Sequence, residues 1–248
     1  MILIRKALKR RIDLDPKRPY GRQNLENTSG IRLNILSSFD LDAVLILLTI
    51  VATGAMSASA AIQGLRQGFD PFGTAVLGFV AAVGGGTVRD LLLGETPIFW
   101  LQEIIYLMTA IPIALITHFA GRTLNQGSGQ RFALLQYLDA IGLALFTLVG
   151  VQAGLDYQLH FISAIVLGCT TGVVGGMLRD VMCGQTPTVL KQDLYATISL
   201  IGGAFYILST DILGNEISLI LTFFFIVLLR SFIIYRNSKK AQEILSKA

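Results

Sequence analysis

Two arginine–aspartate pairs stand out because each follows a glycine cluster near the end of an apolar run. The residues concerned are Gly84, Gly85, Gly86, Arg89 and Asp90, and then Gly175, Gly176, Arg179 and Asp180. A charge in hydrocarbon is unfavourable, so such residues usually pair, face an interior or line water. Glycines let a helix bend and turn carbonyl oxygens toward a wet path, where they replace part of a cation's hydration shell. The combination indicates passage of an ion or small solute rather than covalent chemistry.

Each of these features also has a purely structural interpretation. Small residues let neighbouring helices approach closely without forming any path, and an arginine near a helix end can extend to the membrane interface as an anchor. Because the two features occur together, and do so twice, we favour a pathway. A fixed arginine cannot attract a cation, so we expect Arg89 and Arg179 to hold helix ends or gates by hydrogen bonding. Asp90 and Asp180 would then balance their charge.

Further polar residues lie inside apolar runs or where such runs begin. Hydroxyl groups that could line a polar path, or bond back to their own helix, belong to Thr53, Ser57, Ser59, Thr170 and Thr171. Asp42 and Asp139 open the predicted first and fourth spans. A carboxylate is favoured there by unpaired N–H groups and the helix dipole. We expect both to cap their helices, with ion coordination as the alternative.

The composition places most of the chain in a membrane. Hydrophobic residues make up 53% of the 248 residues and charged residues 15%, against roughly 25% charged in soluble domains. Residues 1–37 hold nine of the 20 Lys and Arg residues, which leaves few charges for residues 38–248. A large water-facing enzyme is therefore excluded there. No nucleotide fingerprint, phosphate-cradling loop or catalytic triad is present in the sequence, so we expect no enzymatic activity.

The sequence predicts no resident cofactor, no metal site and no nucleic-acid partner. Cys169 and Cys183 share one apolar segment without metal-ligand spacing, and His118 and His160 are isolated. The net charge of +4 arises from a tail, short loops and the C-terminus, with no aromatic interleaving typical of nucleic-acid binding. Membrane lipids and a transported ion are the expected contacts.

Seven apolar runs are long enough to cross a bilayer, which needs about 20 residues. They cover residues 43–65, 71–88, 104–121, 136–155, 157–178, 194–210 and 217–235. None of these runs alternates between apolar and polar residues, as the segments of about 10 residues in a membrane β-barrel do. The sequence thus predicts an all-α integral membrane protein. Its expected parts are a basic, disordered tail (1–37), a three-span unit (38–121), a loop (122–131), a second three-span unit (132–211), and a seventh span with a basic C-terminal tail (212–248).

An internal repeat relates the two three-span units. Residues 78–97 match residues 168–187 at an offset of 90, with nine identities in 20 positions. Because each unit has an odd number of spans, the second copy enters the membrane from the opposite side. Inverted repeats of this kind are typical of transport proteins, whose pathway lies at the repeat interface. We therefore expect an inverted 3+3 repeat plus a seventh helix.

The distribution of basic residues predicts the orientation. After spans 1, 3 and 5 and toward the C-terminus lie Arg66, Arg122, Arg131, Lys191, Arg230, Arg236, Lys239, Lys240 and Lys247. Apart from Arg89 of the motif itself, the loops after spans 2, 4 and 6 contain no Lys or Arg. The positive-inside rule places the C-terminus in the cytoplasm and the N-terminus outside. The basic tail opposes this orientation, unless translation starts near residues 31–36.

The doubled motif resembles a known family. GGGTVRDLLLGETP and VGGMLRDVMCGQTP, Leu-Asp-Ala at 138–140 and Lys-Gln-Asp-Leu-Tyr-Ala at 191–196 are similar to the prokaryotic trimeric intracellular cation (TRIC) channels, a domain also described as a glycine transporter. The resemblance covers residues 38–211. It implies a homotrimer in a prokaryotic plasma membrane, with a pore in each subunit that passes monovalent cations, chiefly potassium. It also implies kinks at the glycine clusters of spans 2 and 5, although Val174 replaces one expected glycine.

Two other functions stay open from the sequence. A secondary transporter of a small neutral amino acid such as glycine would also suit an inverted repeat with glycine-broken helices. A membrane scaffold without transport activity would explain the hydrophobicity but not the doubled polar motif. A channel needs a continuous wet path with weak sites, whereas a carrier needs a site that closes on alternate sides.

Overall fold

The computed structural model describes residues 41–123, 128–191 and 194–245, with side chains for 44–123, 130–191 and 194–239. The chain divides into the units Met1–Leu47 and Leu48–Ala248. Of the first unit, residues 41–47 are described, and they form the N-terminal turns of a helix. The expected tail and the side chain of Asp42 lie outside the described residues. All contacts given below belong to the second unit.

The described residues form nine helices and no strands. In chain order they are α1 (Leu41–Arg66), α2 (Pro71–Leu93), α3 (Phe99–Gln102), α4 (Ile105–Thr123), α5 (Ser128–Asp156), α6 (Phe161–Met182), α7 (Thr188–Lys191), α8 (Tyr195–Leu213) and α9 (Asn215–Leu245). Seven of them are long and apolar enough to cross a membrane. The prediction of an all-α protein with seven spans is confirmed. The four-residue helices α3 and α7 were not anticipated.

Local sequence signals set the ends of α2. Asp70 precedes it and accepts a hydrogen bond from the Gly73 N–H group at 2.7 Å, which satisfies a donor that helical geometry leaves unpaired. Pro71 occupies the first helical position, where its missing N–H is not needed. The helix stops at Gly94, whose φ of 67° is left-handed and suits a residue without Cβ.

Helices occupy both ends of the segment that the sequence predicts as a loop between the two repeat units. The sequence suggested residues 122–131, but α4 continues to Thr123 and α5 begins at Ser128. A guanidinium nitrogen of Arg131 donates to the Gly121 carbonyl at 2.8 Å and so joins the two helix ends. An apolar run marks only the part of a helix that lies in hydrocarbon, and polar turns extend beyond it. As a consequence Asp139 lies well inside α5, and the prediction that it caps a helix start is wrong.

Equivalent contacts within the two three-helix units follow the internal repeat. In the first unit, the Ser57 hydroxyl of α1 donates to the Ala110 carbonyl of α4 at 2.6 Å. In the second, the Thr147 hydroxyl of α5 lies 2.6 Å from that of Ser199 on α8. Each bond joins the first and third spanning helices of its unit. The repeat in sequence is therefore also a repeat in packing.

Candidate functional site

The two halves of the chain meet where α2 crosses α6. A methyl group added to Gly85 would collide with the carbonyl oxygen of Thr171, and one added to Gly175 would collide with that of Ala81. Both glycines and both carbonyls are related by the offset of 90 residues. The crossing is thus reciprocal, as expected for two copies related by a two-fold axis. Only residues without Cβ permit backbones to approach this closely.

The flanking glycines make room for side chains rather than for backbone. A Cβ on Gly84 would meet Leu178, and one on Gly86 would meet the ring of Phe99. A Cβ on Gly176 would lie 3.3 Å from Asp139 Oδ1 and from the Tyr195 hydroxyl. Neither cluster interrupts its helix, since α2 and α6 remain helical throughout. The glycines therefore provide close packing at the crossing and space beside the charged residues.

A buried charged network surrounds the end of α6, and we call Ser59, Asp139, Arg179, Asp180 and Tyr195 the Arg179 cluster. One terminal nitrogen of Arg179 lies 2.7 Å from Asp139 Oδ1 and 2.8 Å from the Ser59 hydroxyl. Its Nε donates to Asp180 Oδ1 at 2.9 Å. The Tyr195 hydroxyl donates to Asp139 Oδ2 at 2.7 Å. The cluster joins α1, α5, α6 and α8, and each buried charge in it has a charged or polar partner, as burial requires.

Asp180 also holds the short helix α7 against the end of α6. Its Oδ2 accepts hydrogen bonds from both the backbone N–H and the hydroxyl of Thr188, each at 2.8 Å. Thr188 is the first residue of α7, where an unpaired N–H group favours a carboxylate. One carboxylate thus bridges an arginine and a helix start. The expected pairing of Arg179 with Asp180 is present in the structure.

The first repeat contains a related network, the Arg89 cluster of Arg89, Asp90, Phe99, Trp100 and Tyr106. Two guanidinium nitrogens of Arg89 donate to Asp90 Oδ1 at 2.9 and 2.6 Å. Asp90 Oδ2 accepts from the Phe99 N–H at 2.9 Å, which begins α3 as Thr188 begins α7. The Phe99 and Tyr106 rings meet edge to face, 4.7 Å apart. The guanidinium carbon of Arg89 lies 5.5 Å from the Phe99 ring centroid, so an aromatic ring borders this charged pair.

The two arginines differ in burial and in number of ionic partners. Among the described side chains, that of Arg89 is 11% exposed and has one ion pair, whereas that of Arg179 is 1% exposed and has two. A buried charge needs compensation that a partly exposed one obtains from water. Arg179 therefore depends more on its partners than Arg89 does.

Most hydroxyls expected to line a path bond back to their own helices. Thr53, Thr170 and Thr171 each donate to the carbonyl four residues earlier, at 2.7, 2.9 and 2.7 Å. Ser57 donates to another helix, as described above. Ser59 donates to the Leu135 carbonyl at 3.2 Å and accepts from Arg179. Of these five hydroxyls, that of Ser59 bonds to a charged side chain among the described residues, namely Arg179.

Polar contacts also join the loops that follow α2 and α6 to the opposite repeat. The Gln63 side chain donates to Gln185 Oε1 at 2.8 Å. At the other end of the molecule, Tyr157 bonds to Glu95, which stands where the second motif has Gln185. Burial, followed by this bond to a carboxylate, raises the pKa of Tyr157 to about 12. Tyr157 therefore remains a protonated donor at neutral pH.

Two residues of the site were missed or misplaced by the sequence analysis. Tyr195 appeared only within a family motif, yet it is buried and bonded to Asp139. Arg230 was counted with the basic residues flanking the spans, but its side chain is buried within α9, and its guanidinium carbon lies 4.3 Å from the Tyr195 ring centroid. An arginine inside an apolar run is itself a signal for a functional site. That signal was available in the sequence.

The single tryptophan of the chain provides a test of how Asp90 holds α3. Trp100 donates its ring N–H to the Thr87 hydroxyl at 3.0 Å. Removing the carboxylate in Asp90→Ala leaves the Phe99 N–H without its acceptor, so we expect α3 to loosen. Trp100 emission should then shift to the red, and acrylamide should quench it more strongly. Asp211→Ala, which removes an exposed acid on α8, is the control. An unchanged spectrum in Asp90→Ala would contradict this role.

Metal ligation finds no support among the residues that the structure describes. Within those ranges no three or more His, Cys, Asp or Glu side chains are grouped so that they could hold a metal ion. Cys169 and Cys183 are both free thiols. His118 instead contacts Thr74, with Nδ1 2.9 Å from its hydroxyl. The described polar groups are therefore arranged as ion pairs and hydrogen bonds rather than as a coordination shell.

Sequence comparison assigns the family. The model of the family described as Glycine transporter matches residues 46–122 and 136–211, which are the two repeat units. A UPF0126 membrane protein of Vibrio cholerae is 39% identical over 66% of this chain and 67% of its own length. A UPF0126 inner membrane protein of Escherichia coli K12 is 37% identical over 63% of this chain and 74% of its own. This chain belongs to the TRIC-like family. The family resemblance found in the doubled motif is thereby confirmed.

Solved structures of TRIC-family members share the fold. The TRIC trimeric intracellular cation channel orthologue from Rhodobacter sphaeroides is 33% identical, with a TM-score of 0.73 over 78% of this chain and 98% of that one. Another prokaryotic TRIC channel is 31% identical, with a TM-score of 0.75 over 79% of this chain and 98% of that one. These relatives are membrane proteins and channels rather than enzymes. The prediction of a non-enzymatic protein agrees with them.

Proposed function

We propose that this TRIC-family member conducts potassium passively across a bacterial inner membrane, through a path within each subunit of a homotrimer. The reciprocal crossing of α2 and α6 at Gly85 and Gly175 carries the proposal. It lies at the interface of two inverted units, where transport proteins of this plan have their pathway. Supporting it, solved relatives at 31–33% identity are named as cation channels, and an Escherichia coli relative is named as an inner membrane protein.

The chemistry of the crossing suits a weakly held cation. The carbonyl oxygens of Ala81 and Thr171 lie against glycines on the facing helix, so no side chain separates either oxygen from the helix interface. A slight separation of α2 and α6 would turn these oxygens toward water, where they could replace part of a potassium hydration shell. The two arginine clusters lie toward opposite ends of this path and act as its gates. Opening requires their ion pairs to rearrange.

The charge distribution supports an entry for cations on one side. The last turns of α1, α4 and α7 contain Arg66, Arg122 and Lys191, and the positive-inside rule assigns those ends to the cytoplasm. At the opposite ends of the spans lie Glu95, Glu103, Asp156, Asp211 and Glu216. Acidic groups around a mouth raise the local concentration of cations. The outer mouth would therefore attract potassium before it reaches the crossing.

Exposed apolar faces on the spans suit lipid and neighbouring subunits. Large side chains such as Ile116 on α4, Leu208 on α8 and Leu228 on α9 are more than half exposed. In water such surfaces would promote aggregation, whereas lipid tails or a second subunit cover them without cost. A homotrimer of the kind named for the solved relatives would use part of this surface.

A glycine carrier is the second candidate, because the family description names glycine transport. A carrier would need a partner for the amino acid carboxylate, and helix N-termini in broken helices often supply it. Here the N–H groups that begin α3 and α7 already bond to Asp90 and Asp180. Protein carboxylates therefore occupy those positions, which favours the channel.

Liposome transport separates the two functions. Purified protein is reconstituted in vesicles, and potassium flux down a gradient is measured without valinomycin, beside uptake of labelled glycine by the same vesicles. We expect potassium flux that rises with the gradient and no saturable glycine uptake. Empty vesicles give the background. Saturable glycine uptake without potassium flux would overturn the channel in favour of the carrier.

A further inference from the structure

The seventh span lies outside the inverted repeat, yet it contributes a charged residue to the protein interior. Arg230 is on α9, whose membrane span covers Asn215–Lys239. It is 1% exposed, although arginine in a spanning helix is unfavourable unless it has partners. The residues one turn before and one turn after it on the same face, Ile226 and Ile234, are buried apolar side chains. A leucine or isoleucine at 230 would continue this face, so packing alone does not account for an arginine.

Arg230 contacts the Arg179 cluster through one aromatic ring. Its guanidinium carbon lies 4.3 Å from the centroid of the Tyr195 ring, within the range of a cation–π interaction, which strengthens when water is excluded. The hydroxyl of the same ring donates to Asp139 Oδ2 at 2.7 Å. The other oxygen of Asp139 accepts from Arg179 at 2.7 Å. A continuous chain of contacts thus joins α9 to the ion pair of the second repeat.

Charge balance is a second, independent reason for a buried arginine at position 230. Among the described residues, the buried charges near the end of α6 are two carboxylates, Asp139 and Asp180, and one cation, Arg179. Their formal sum is negative by one charge. Arg230 brings the buried group to neutrality, and uncompensated charge is strongly disfavoured away from water. The second carboxylate of the network is thus compensated by an arginine from a helix that lies outside the repeat.

The first repeat has no corresponding arrangement among the described contacts. Tyr106 is at the start of α4 as Tyr195 is at the start of α8, but its ring packs against Phe99. Among the described side chains, Arg89 forms an ion pair with Asp90. Within the part of the chain that the structure describes, the contact with α9 lies at the Arg179 end of the proposed path.

We propose that Arg230 is a positioning residue that holds the Arg179 cluster in its ion-paired, closed arrangement by acting through Tyr195. The seventh span thereby controls one gate of the path without lining it. This inference rests on the proposed channel function for its effect on conduction. The positioning itself is a statement about charge and contact, and it can be tested without any ion flow.

Single-channel recording in planar bilayers tests the effect on gating. We expect Arg230→Gln to raise open probability about tenfold. The variant loses a desolvated cation–π contact, and such a contact shifts an equilibrium by about a factor of ten. Single-channel conductance should stay unchanged. Arg230→Lys retains the charge and should restore most of the closed state. Arg236→Gln is the matched control, because Arg236 lies on the same helix but is exposed beside Phe232.

Tyr195→Phe provides a second variant that keeps the ring and removes the hydroxyl bonded to Asp139. If Arg230 acts through this residue, Tyr195→Phe alone should raise open probability. Adding Arg230→Gln to it should then increase open probability by far less than tenfold, since residues in one network are not additive. Full additivity of the two changes would overturn the proposal, as would wild-type gating in Arg230→Gln.

Infrared spectroscopy supplies a readout that does not depend on conduction. Without Arg230 the buried cluster carries an excess negative charge, so it should bind a proton and show the carbonyl stretch of a carboxylic acid. The band should be absent from wild type and from Arg236→Gln. It should shift or vanish in the double variant that carries both Arg230→Gln and Asp139→Asn. If wild-type protein passes no potassium, the channel proposal fails, yet this band still supports the positioning role. Folded Arg230→Gln protein with no such band would overturn the positioning role of Arg230.

Discussion

Replacing Gly85 with alanine is expected to disrupt the crossing of α2 and α6 and to abolish potassium flux. The added methyl group would collide with the carbonyl oxygen of Thr171, which belongs to the backbone of another helix and cannot move aside as a flexible side chain would. Overpacking in a close-packed interior typically costs about 1–3 kcal/mol, and backbone collisions lie at the upper end. Gly175→Ala should behave alike, because it collides with the Ala81 carbonyl.

Thermal unfolding in detergent, combined with vesicle flux, measures this effect. The control is Gly142→Ala, since a Cβ there would lie 3.2 Å from the terminal methyl of Met56, a flexible group that can shift. We expect the control to unfold near the wild-type temperature and to retain flux. The two crossing variants should unfold at clearly lower temperatures. Equal stability of all three variants would show that the crossing tolerates a methyl group and would contradict the packing described here.

Arg179→Gln should destabilise the protein much more than Arg89→Gln does. Glutamine at 179 leaves Asp139 and Asp180 buried without their shared cation, and removing one partner of a buried ion pair costs about 3–5 kcal/mol. Arg89 is 11% exposed and has one ionic partner among the described side chains, so water can compensate part of its loss. We expect about 1–2 kcal/mol there, as for a charged hydrogen bond. Denaturant unfolding of the two variants measures the difference.

The variants Arg179→Gln and Arg89→Gln also test the gating role of the two clusters. Both variants should alter open probability if the clusters act as gates, and the trimer should still assemble. Arg122→Gln, which changes an exposed arginine in the last turn of α4, should leave both properties as in wild type. Normal gating in both cluster variants with intact assembly would exclude the arginines as gates. Equal losses of stability in the two variants would contradict the expectation that the more buried arginine contributes more to stability.

The fold could be predicted from sequence because its determinants are local and repeated. Apolar runs of sufficient length predict the spans, and the offset of 90 residues with an odd number of spans predicts their inversion. The structure confirms seven spans. The short helices α3 and α7 could not be found by hydropathy, because four residues are too few to show a period. Hydrogen bonds to the side chains of Asp90 and Asp180, nine and eight residues earlier, hold the two short helices in position.

The candidate site was predictable in part. The pairing of each arginine with its neighbouring aspartate is local, and the structure contains both pairs. The role of Asp139 was not predictable from its position in the apolar run, since it depends on where α5 begins and on Arg179, 40 residues later. The contact of Arg230 with Tyr195 joins helices from different parts of the fold. Such long-range pairs follow from packing, and a single sequence does not encode them in a readable pattern.

The order of the chain bears on how the Arg179 cluster enters the membrane during synthesis. Ser59 and Asp139 precede Arg179, and Asp180 follows it at once. Inserting an unpaired arginine costs roughly 2.5–3.5 kcal/mol at a helix centre on biological scales, and less near a helix end, where Arg179 lies. When α6 leaves the ribosome, carboxylates that can neutralise Arg179 are already in the bilayer or beside it. Tyr195 and Arg230 arrive later, so biogenesis would proceed from a provisional salt bridge to the complete network only when the last helix is translated.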